Sequence, residues 1–312
     1  MSTEHEAGEA DDAAVAGCAP FGGTRFPLLD DPEGLSVPAG AEVIDGHVHL
    51  FPPRVFEAIW RWFERHAWTV RYRLHAEEVV EFLASRGVGQ MVGLCYAHVA
   101  GMAPTLNRAM ADIARAHPAV IPLGTVLPGE PDAADIVREA LGPLGLRGIK
   151  LHCHVQRMAA DDPRIDPVYR ACAEAGVPLV IHAGREPSFP AYGVDARALC
   201  AASQIERVLQ RHPNLTLVVP HLGADEYDDY AALLARYEHL WLDTTMAIGE
   251  YFIPGPSAGL FPAMAERLVY GSDFPNLPYA WDRELTRAVA AVTDPRALGA
   301  LLAGNARRVF LR

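Results

Sequence analysis

The chain is predicted to be an α/β protein folded as a TIM-type (β/α)8 barrel. Three observations carry this. Eight units of a short apolar run followed by a helical pattern fill about 270 residues, the size of one such barrel. Side chains suited to metal binding collect at the C-terminal ends of the strand candidates, where a barrel builds its site. A doubly wound open sheet would call for Gly-x-Gly-x-x-Gly after the first strand, and none is there.

The elements follow in order from residue 41. The strand candidates are 42–48, 90–96, 120–126, 146–152, 177–182, 215–221, 240–244 and 268–272, short aliphatic runs set between Gly and Pro punctuation. Apolar residues at helical spacing mark 76–86, 106–117, 132–141 and 197–212. The stretch 56–72 carries Trp60, Trp62, Phe63 and Trp68 at helical spacing, which favours packing, with an aromatic pocket wall as the alternative. The barrel is thus assigned to 41–312. Residues 1–40 are a tail, partly disordered or wrapping the barrel: acidic and small-residue rich at first, then studded with Pro20, Gly22, Gly23, Pro27, Pro32 and Pro38.

Composition bounds the function. Of 312 residues half are hydrophobic and the net charge is −12, which suits a large core and disfavours a nucleic-acid partner. No run approaches the ~18 apolar residues that span a bilayer. The first residues lack a basic segment and an apolar run, so Val15-Ala16-Gly17-Cys18 is a chance likeness to a lipoprotein signal. Cys18, Cys95, Cys153, Cys172 and Cys200 show no Cys-x-x-Cys spacing and read as free thiols in a reducing compartment. The expectation is a cytoplasmic protein with a small-molecule substrate, and a homodimer is possible.

The site residues fall at strand ends. The first strand runs Asp45-Gly46-His47-Val48-His49, so alternation puts His47 and His49 on one face with Asp45. Later strands end in His182, in His221 and in Gly271-Ser272-Asp273-Phe274-Pro275. Three imidazoles and a carboxylate suit one divalent cation, Zn²⁺ first and Mn²⁺ second, with a position open to water or substrate. His5, His66, His75, His117, His212 and His239 fall in the tail, in helices or at helix ends, and are read as structural.

With the closing Gly304-Asn305-Ala306-Arg307-Arg308-Val309-Phe310, this ordered set resembles the amidohydrolase superfamily. The branch it resembles is the amidohydrolase-related group (amidohydrolase 2), which includes aminocarboxymuconate semialdehyde decarboxylase and metal-dependent TIM-barrel hydrolases. The resemblance runs from Val43 to the C-terminus. It implies one metal held by His47, His49, His182 and Asp273, with His221 as a catalytic histidine outside the ligand set. TatD-type nucleases share the His-x-His opening but would need a Glu where this chain has Lys150.

The run Gly148-Ile149-Lys150-Leu151-His152-Cys153-His154 places Lys150, His152 and His154 on one strand face. In binuclear relatives a lysine here is carboxylated and bridges two metals; otherwise Lys150 pairs with Asp45 or a substrate carboxylate. His152 is a substrate contact, whereas Cys153 and His154 read as loop or packing residues. Arg185 and Arg157 are candidates for gripping a substrate carboxylate. His98 and Asn107 are within possible reach of the site, and Met246 reads as packing.

Two chemistries fit this set. The first choice is hydrolysis of a small carbonyl compound (lactone, amide or ester) by activated water, with Asp273 moving the proton and His221 steadying the oxyanion. The alternative is non-oxidative decarboxylation or hydration of an aromatic or unsaturated carboxylic acid, with His221 and Asp273 as acid/base pair. A barrel that has lost activity and serves as a binding protein is the third reading, and it predicts a broken ligand set.

Overall fold

The computed structural model describes residues 26–34, 37–251, 254–257 and 259–311. The earlier part of the tail, with His5 and Cys18, lies outside them. Among the described residues nine parallel strands are separated by helices, except that β4 follows β3 directly: β1 (Ile44–His49), β2 (Gln90–Leu94), β3 (Val120–Pro122), β4 (Gly124–Thr125), β5 (Ile149–His152), β6 (Leu179–His182), β7 (Leu217–Val219), β8 (Leu240–Asp243) and β9 (Leu268–Val269). β1 to β3 form one sheet in sequence order and β4 to β9 a second.

The two sheets meet inside the third strand candidate. Around Leu123 the chain stops pairing with β2 and starts pairing with β5: Leu123 N donates to Gly93 O and Gly124 N to Gly148 O. Eight expected strands become nine pieces for that reason. At the other seam no ladder joins β9 to β1. Single bonds from Gly46 N to Tyr270 O, Asp273 N to His47 O and His49 N to Phe274 O lie there instead. The ring of strands is therefore stitched shut by loop backbone.

The strand candidates ran one to three residues too far at several ends. His221 sits in a 3-10 turn beyond β7, and Ser272 and Asp273 lie in the loop after β9. The helical candidate 197–212 is two helices, Ala196–Leu199 and Ala202–Arg211, interrupted at Cys200 and Ala201. Of the aromatic stretch only the part up to His66 is helical: the helix Pro53–His66 starts on prolines whose missing N–H costs nothing there and buries Phe56 and Trp60, while Trp68 lies beyond it in a β-bridge to Phe26.

Alternation builds the interior. Leu179 and Ile181 face the helices, while Val180 joins an inner cluster with Ile44, Val92, Ile121, Val218, Trp241 and Val269. The helix Asn305–Phe310 completes this cluster with Ala306, Val309 and Phe310. Two residues after an inward apolar position, at the strand end, comes an inward polar one: His182 after Val180, Asp243 after Trp241. Tail residues 26–34 lie on the barrel, with Leu29 N donating to Pro278 O at 2.8 Å and Asp31 paired to Arg71 and Arg283 at 3.1 Å each. Cys95, Cys153, Cys172 and Cys200 are buried free thiols. Among the described residues no helix is long and apolar enough to cross a membrane.

Candidate active site

A narrow chamber opens at the C-terminal ends of the strands, bounded by His47, His49, Lys150, His152, His182, His221 and Asp273, with Phe63, Trp68, Tyr96 and Tyr192 among its walls. His47 and His49 project from β1 and meet Asp273: His49 Nε2 lies 2.9 Å and His47 Nε2 3.5 Å from Asp273 Oδ1. These three side chains form one ligand-type group. His182 forms another with His152 and His154, so the structure sets His182 beside the first trio rather than within it. His221 links the two, its Nε2 3.0 Å from His182 Nδ1.

Hydrogen bonds assign the imidazole tautomers. Asp243 Oδ2 accepts from His47 Nδ1 at 2.7 Å, which leaves the lone pair of Nε2 facing Asp273. Thr245 O accepts from His221 Nδ1 at 2.9 Å, so His221 Nε2 accepts from His182 Nδ1 and the lone pair of His182 Nε2 is left over. Burial, then the charge on Lys150, brings His47 down to about 4, so its ring is neutral near pH 7. Burial also lowers His152 and His182 well below the ordinary range. For Asp243 burial opposes the charge, but its contacts with His47, His221 and Thr245 outweigh burial and hold the carboxyl at about 2.

Buried atoms without partners test whether a cation fits. His152 Nδ1 and His182 Nε2 have no hydrogen-bond partner, and Asp273 Oδ1 has only the Nε2 atoms of His49 and His47 beside it, at 2.9 and 3.5 Å. Buried polar atoms left bare are rare and costly, and neutral imidazole nitrogens beside an ionised carboxylate are the donor set of a divalent metal site. The residues fit.

Other expectations are corrected. A bulge between Asp45 and Val48 turns Asp45 away from the chamber, and its carboxylate binds Ser272 Oγ at 2.5 Å and the backbone of His47 and Ser272. Lys150 therefore has no pair in Asp45; its ammonium makes no hydrogen bond among the described residues, and burial lowers it to about 8. Arg185 does not line the chamber, because Asp225 at 2.7 Å and Glu226 at 3.3 Å hold its guanidinium. His154 is no ordinary packing residue. β5 ends at His152, and the turn Cys153–Gln156 folds His154 back against His182, fully buried with both ring nitrogens unbonded. Asn107 braces β4 through Thr125 instead of reaching the site. Met246 does line the chamber.

Asp243 was missed as a functional residue. Its only signal was an acidic residue closing a strand, at the same place on β8 that His182 holds on β6. The left-handed backbone of His221 (φ 59°) and Asp273 (φ 66°) had no signal at all, although strained backbone gathers at functional sites.

A family model described as amidohydrolase matches residues 44–312. The chain belongs to the amidohydrolase family. As such it is an enzyme. No curated protein matches it in sequence. Among solved structures, this amidohydrolase is similar to an uncharacterised TIM-barrel protein from Bordetella bronchiseptica (24% identity, TM-score 0.67, covering 86% of this chain and 98% of that one). It is also similar to a 5-carboxyvanillate decarboxylase from Novosphingobium aromaticivorans, complexed with manganese and 4-hydroxy-3-methoxy-5-nitrobenzoic acid (17%, 0.63, 88% and 97%). A third is 4-oxalomesaconate hydratase from Rhodopseudomonas palustris (16%, 0.59, 86% and 95%). These likenesses are to the fold.

Proposed function

We propose that this amidohydrolase is a metal-dependent carboxy-lyase that removes CO₂ from a planar aromatic or conjugated carboxylic acid. One observation carries the reading: Lys150, a buried side chain in no ion pair or side-chain hydrogen bond among the described residues, lines a chamber walled by Phe63, Trp68, Tyr96 and Tyr192. A buried cation among aromatic faces is complementary to a carboxylate on a flat apolar frame. The manganese-bound decarboxylase with the same fold supports it.

His47, His49 and Asp273 would hold the cation, with the free Nε2 of His182 beside them. A bound Zn²⁺ or Mn²⁺ supplies a Lewis acid for substrate oxygens. Lys150 holds the carboxylate by charge, and the aromatic walls fix the ring plane and exclude water. When the C–C bond to the carboxyl group breaks, its electron pair stays on the ring carbon and CO₂ leaves. His221 Nε2, an acceptor at rest, would first take a proton from solvent water as substrate enters and then pass it to that carbon, returning to its resting lone pair. A second reading, hydrolysis of a lactone, amide or ester, is favoured by Asp273, a carboxylate lining the chamber beside His47 and His49 that could take a proton from water.

The test incubates Mn- or Zn-loaded protein with carboxyl-¹³C hydroxybenzoates and, separately, with lactones, aryl esters and anilides. Release of ¹³CO₂, lowered about 10²- to 10⁴-fold in His221→Asn, is expected. Hydrolysis without CO₂ release from any acid would overturn the reading in favour of the second.

A further inference from the structure

The chamber over the histidines has only about 40 Å³ of free space, enough for little more than the reacting group. Beside it lies a second cavity of about 310 Å³. Phe63, Tyr96 and Tyr192 line both, so the two spaces share a wall. The outer cavity is otherwise mostly apolar, with Phe51, Ile59 and Trp62 prominent, and the Trp62 and Tyr192 rings stack at 4.9 Å.

At the border of this apolar space stands one arginine. Arg157 makes no ion pair or side-chain hydrogen bond among the described residues, unlike Arg185, which two carboxylates hold. Its backbone is left-handed (φ 53°), a conformation a non-glycine residue adopts at a cost, and bonds to Cys153 O and His154 O fix it there. The guanidinium approaches Gly193, itself at φ 66°, where a Cβ would lie 3.6 Å from Arg157 Nη2. In a protein of net charge −12, an arginine left without a carboxylate is available to an anionic ligand.

We propose that the outer cavity is a substrate subsite that takes a flat apolar arm ending in a second anionic group, which Arg157 binds. The substrate class is thereby narrowed to elongated aryl or conjugated dicarboxylic acids, with one carboxylate at Lys150 and the other at Arg157. This deepens the carboxy-lyase reading and rests on it for the identity of the reacting end. The test does not depend on turnover.

Calorimetry on the metal-loaded protein would compare terephthalate, naphthalene-2,6-dicarboxylate and biphenyl-4,4′-dicarboxylate, each against its monocarboxylate. At least one diacid is expected to bind about tenfold tighter than its monoacid, with the gain lost in Arg157→Gln and kept in Arg157→Lys. Equal affinities throughout the series, or a gain that survives Arg157→Gln, would overturn the proposal. Thermal melting of the variants checks that they fold, and Tyr192→Ala supplies a second probe: it should weaken the diacids more than benzoate. A diacid gain in a protein that releases no CO₂ would keep the subsite and discard the lyase chemistry.

Discussion

Both oxygens of Asp243 are committed: Oδ2 accepts from His47 Nδ1, and Oδ1 from the backbone N–H groups of His221 and Thr245 and from the Thr245 hydroxyl. It thus fixes the His47 ring and the His221 backbone together. Asp243→Asn should weaken Zn²⁺ or Mn²⁺ binding about 10- to 100-fold, read by competition with a chromophoric chelator; unchanged affinity would contradict the orienting role. A second residue, Glu284, is fully buried, with Tyr279 donating to it at 2.6 Å, and burial raises its carboxyl from 4.5 to about 8. The folded protein keeps this proton after the unfolded chain has lost it. Its contribution to stability is therefore full below pH 4.5 and is lost as pH rises through 8. Urea titrations at pH 5, 7 and 9 should show wild type losing on the order of a few kcal/mol that Glu284→Gln does not lose; parallel profiles would refute it. The ligand candidates were legible because their types are rare at strand ends. Asp243 and Lys150 were harder to read, since their roles depend on partners brought from other strands.

At the scale of elements, β1 and the loop after β9 meet without a ladder, and Gly46 lies at the contact. A Cβ there would strike Val269 Cγ1 and come within 3.0 Å of Tyr270 O, with strand backbone behind both. Gly46→Ala should cost about 1–3 kcal/mol in denaturant unfolding and weaken metal binding, because the displaced strand carries His47 and His49. Loss of stability with metal affinity intact would separate the seam from the site. Strand positions were readable from aliphatic runs, but their ends were not. Leu146 and Leu215 are buried outside any ladder, as hydrophobic as the strands they precede, so composition could not mark where pairing stops. Likewise nothing in Cys153-His154-Val155-Gln156 announced a helical turn that folds His154 toward His182.

For the whole molecule, buried imidazole nitrogens without partners beside the Asp273 carboxylate predict that a bound cation stabilises the folded state. Chelation should lower the melting temperature by several degrees, as expected when a ligand held at about 100 times its Kd, near 2.7 kcal/mol, is withdrawn. Added Mn²⁺ or Zn²⁺ should restore it, but not in His49→Ala. A melting temperature indifferent to chelator would remove the metal from the account of stability. The tail offers a separate test. Asp31 pairs with Arg71 and Arg283 and accepts from Ala280 N at 3.0 Å. Asp31→Ala should cost about 1–2 kcal/mol in urea unfolding and leave metal content unchanged.

The stitched seam has a consequence during synthesis. A ribosome that has made the first 260 residues has already released both β1 histidines, His182 and His221, but neither Asp273 nor the loop backbone that ties β1 to the far side. Such a nascent chain lacks Asp273 and the closing seam, so the full set of candidate ligands comes together only after Phe274 has reached His49.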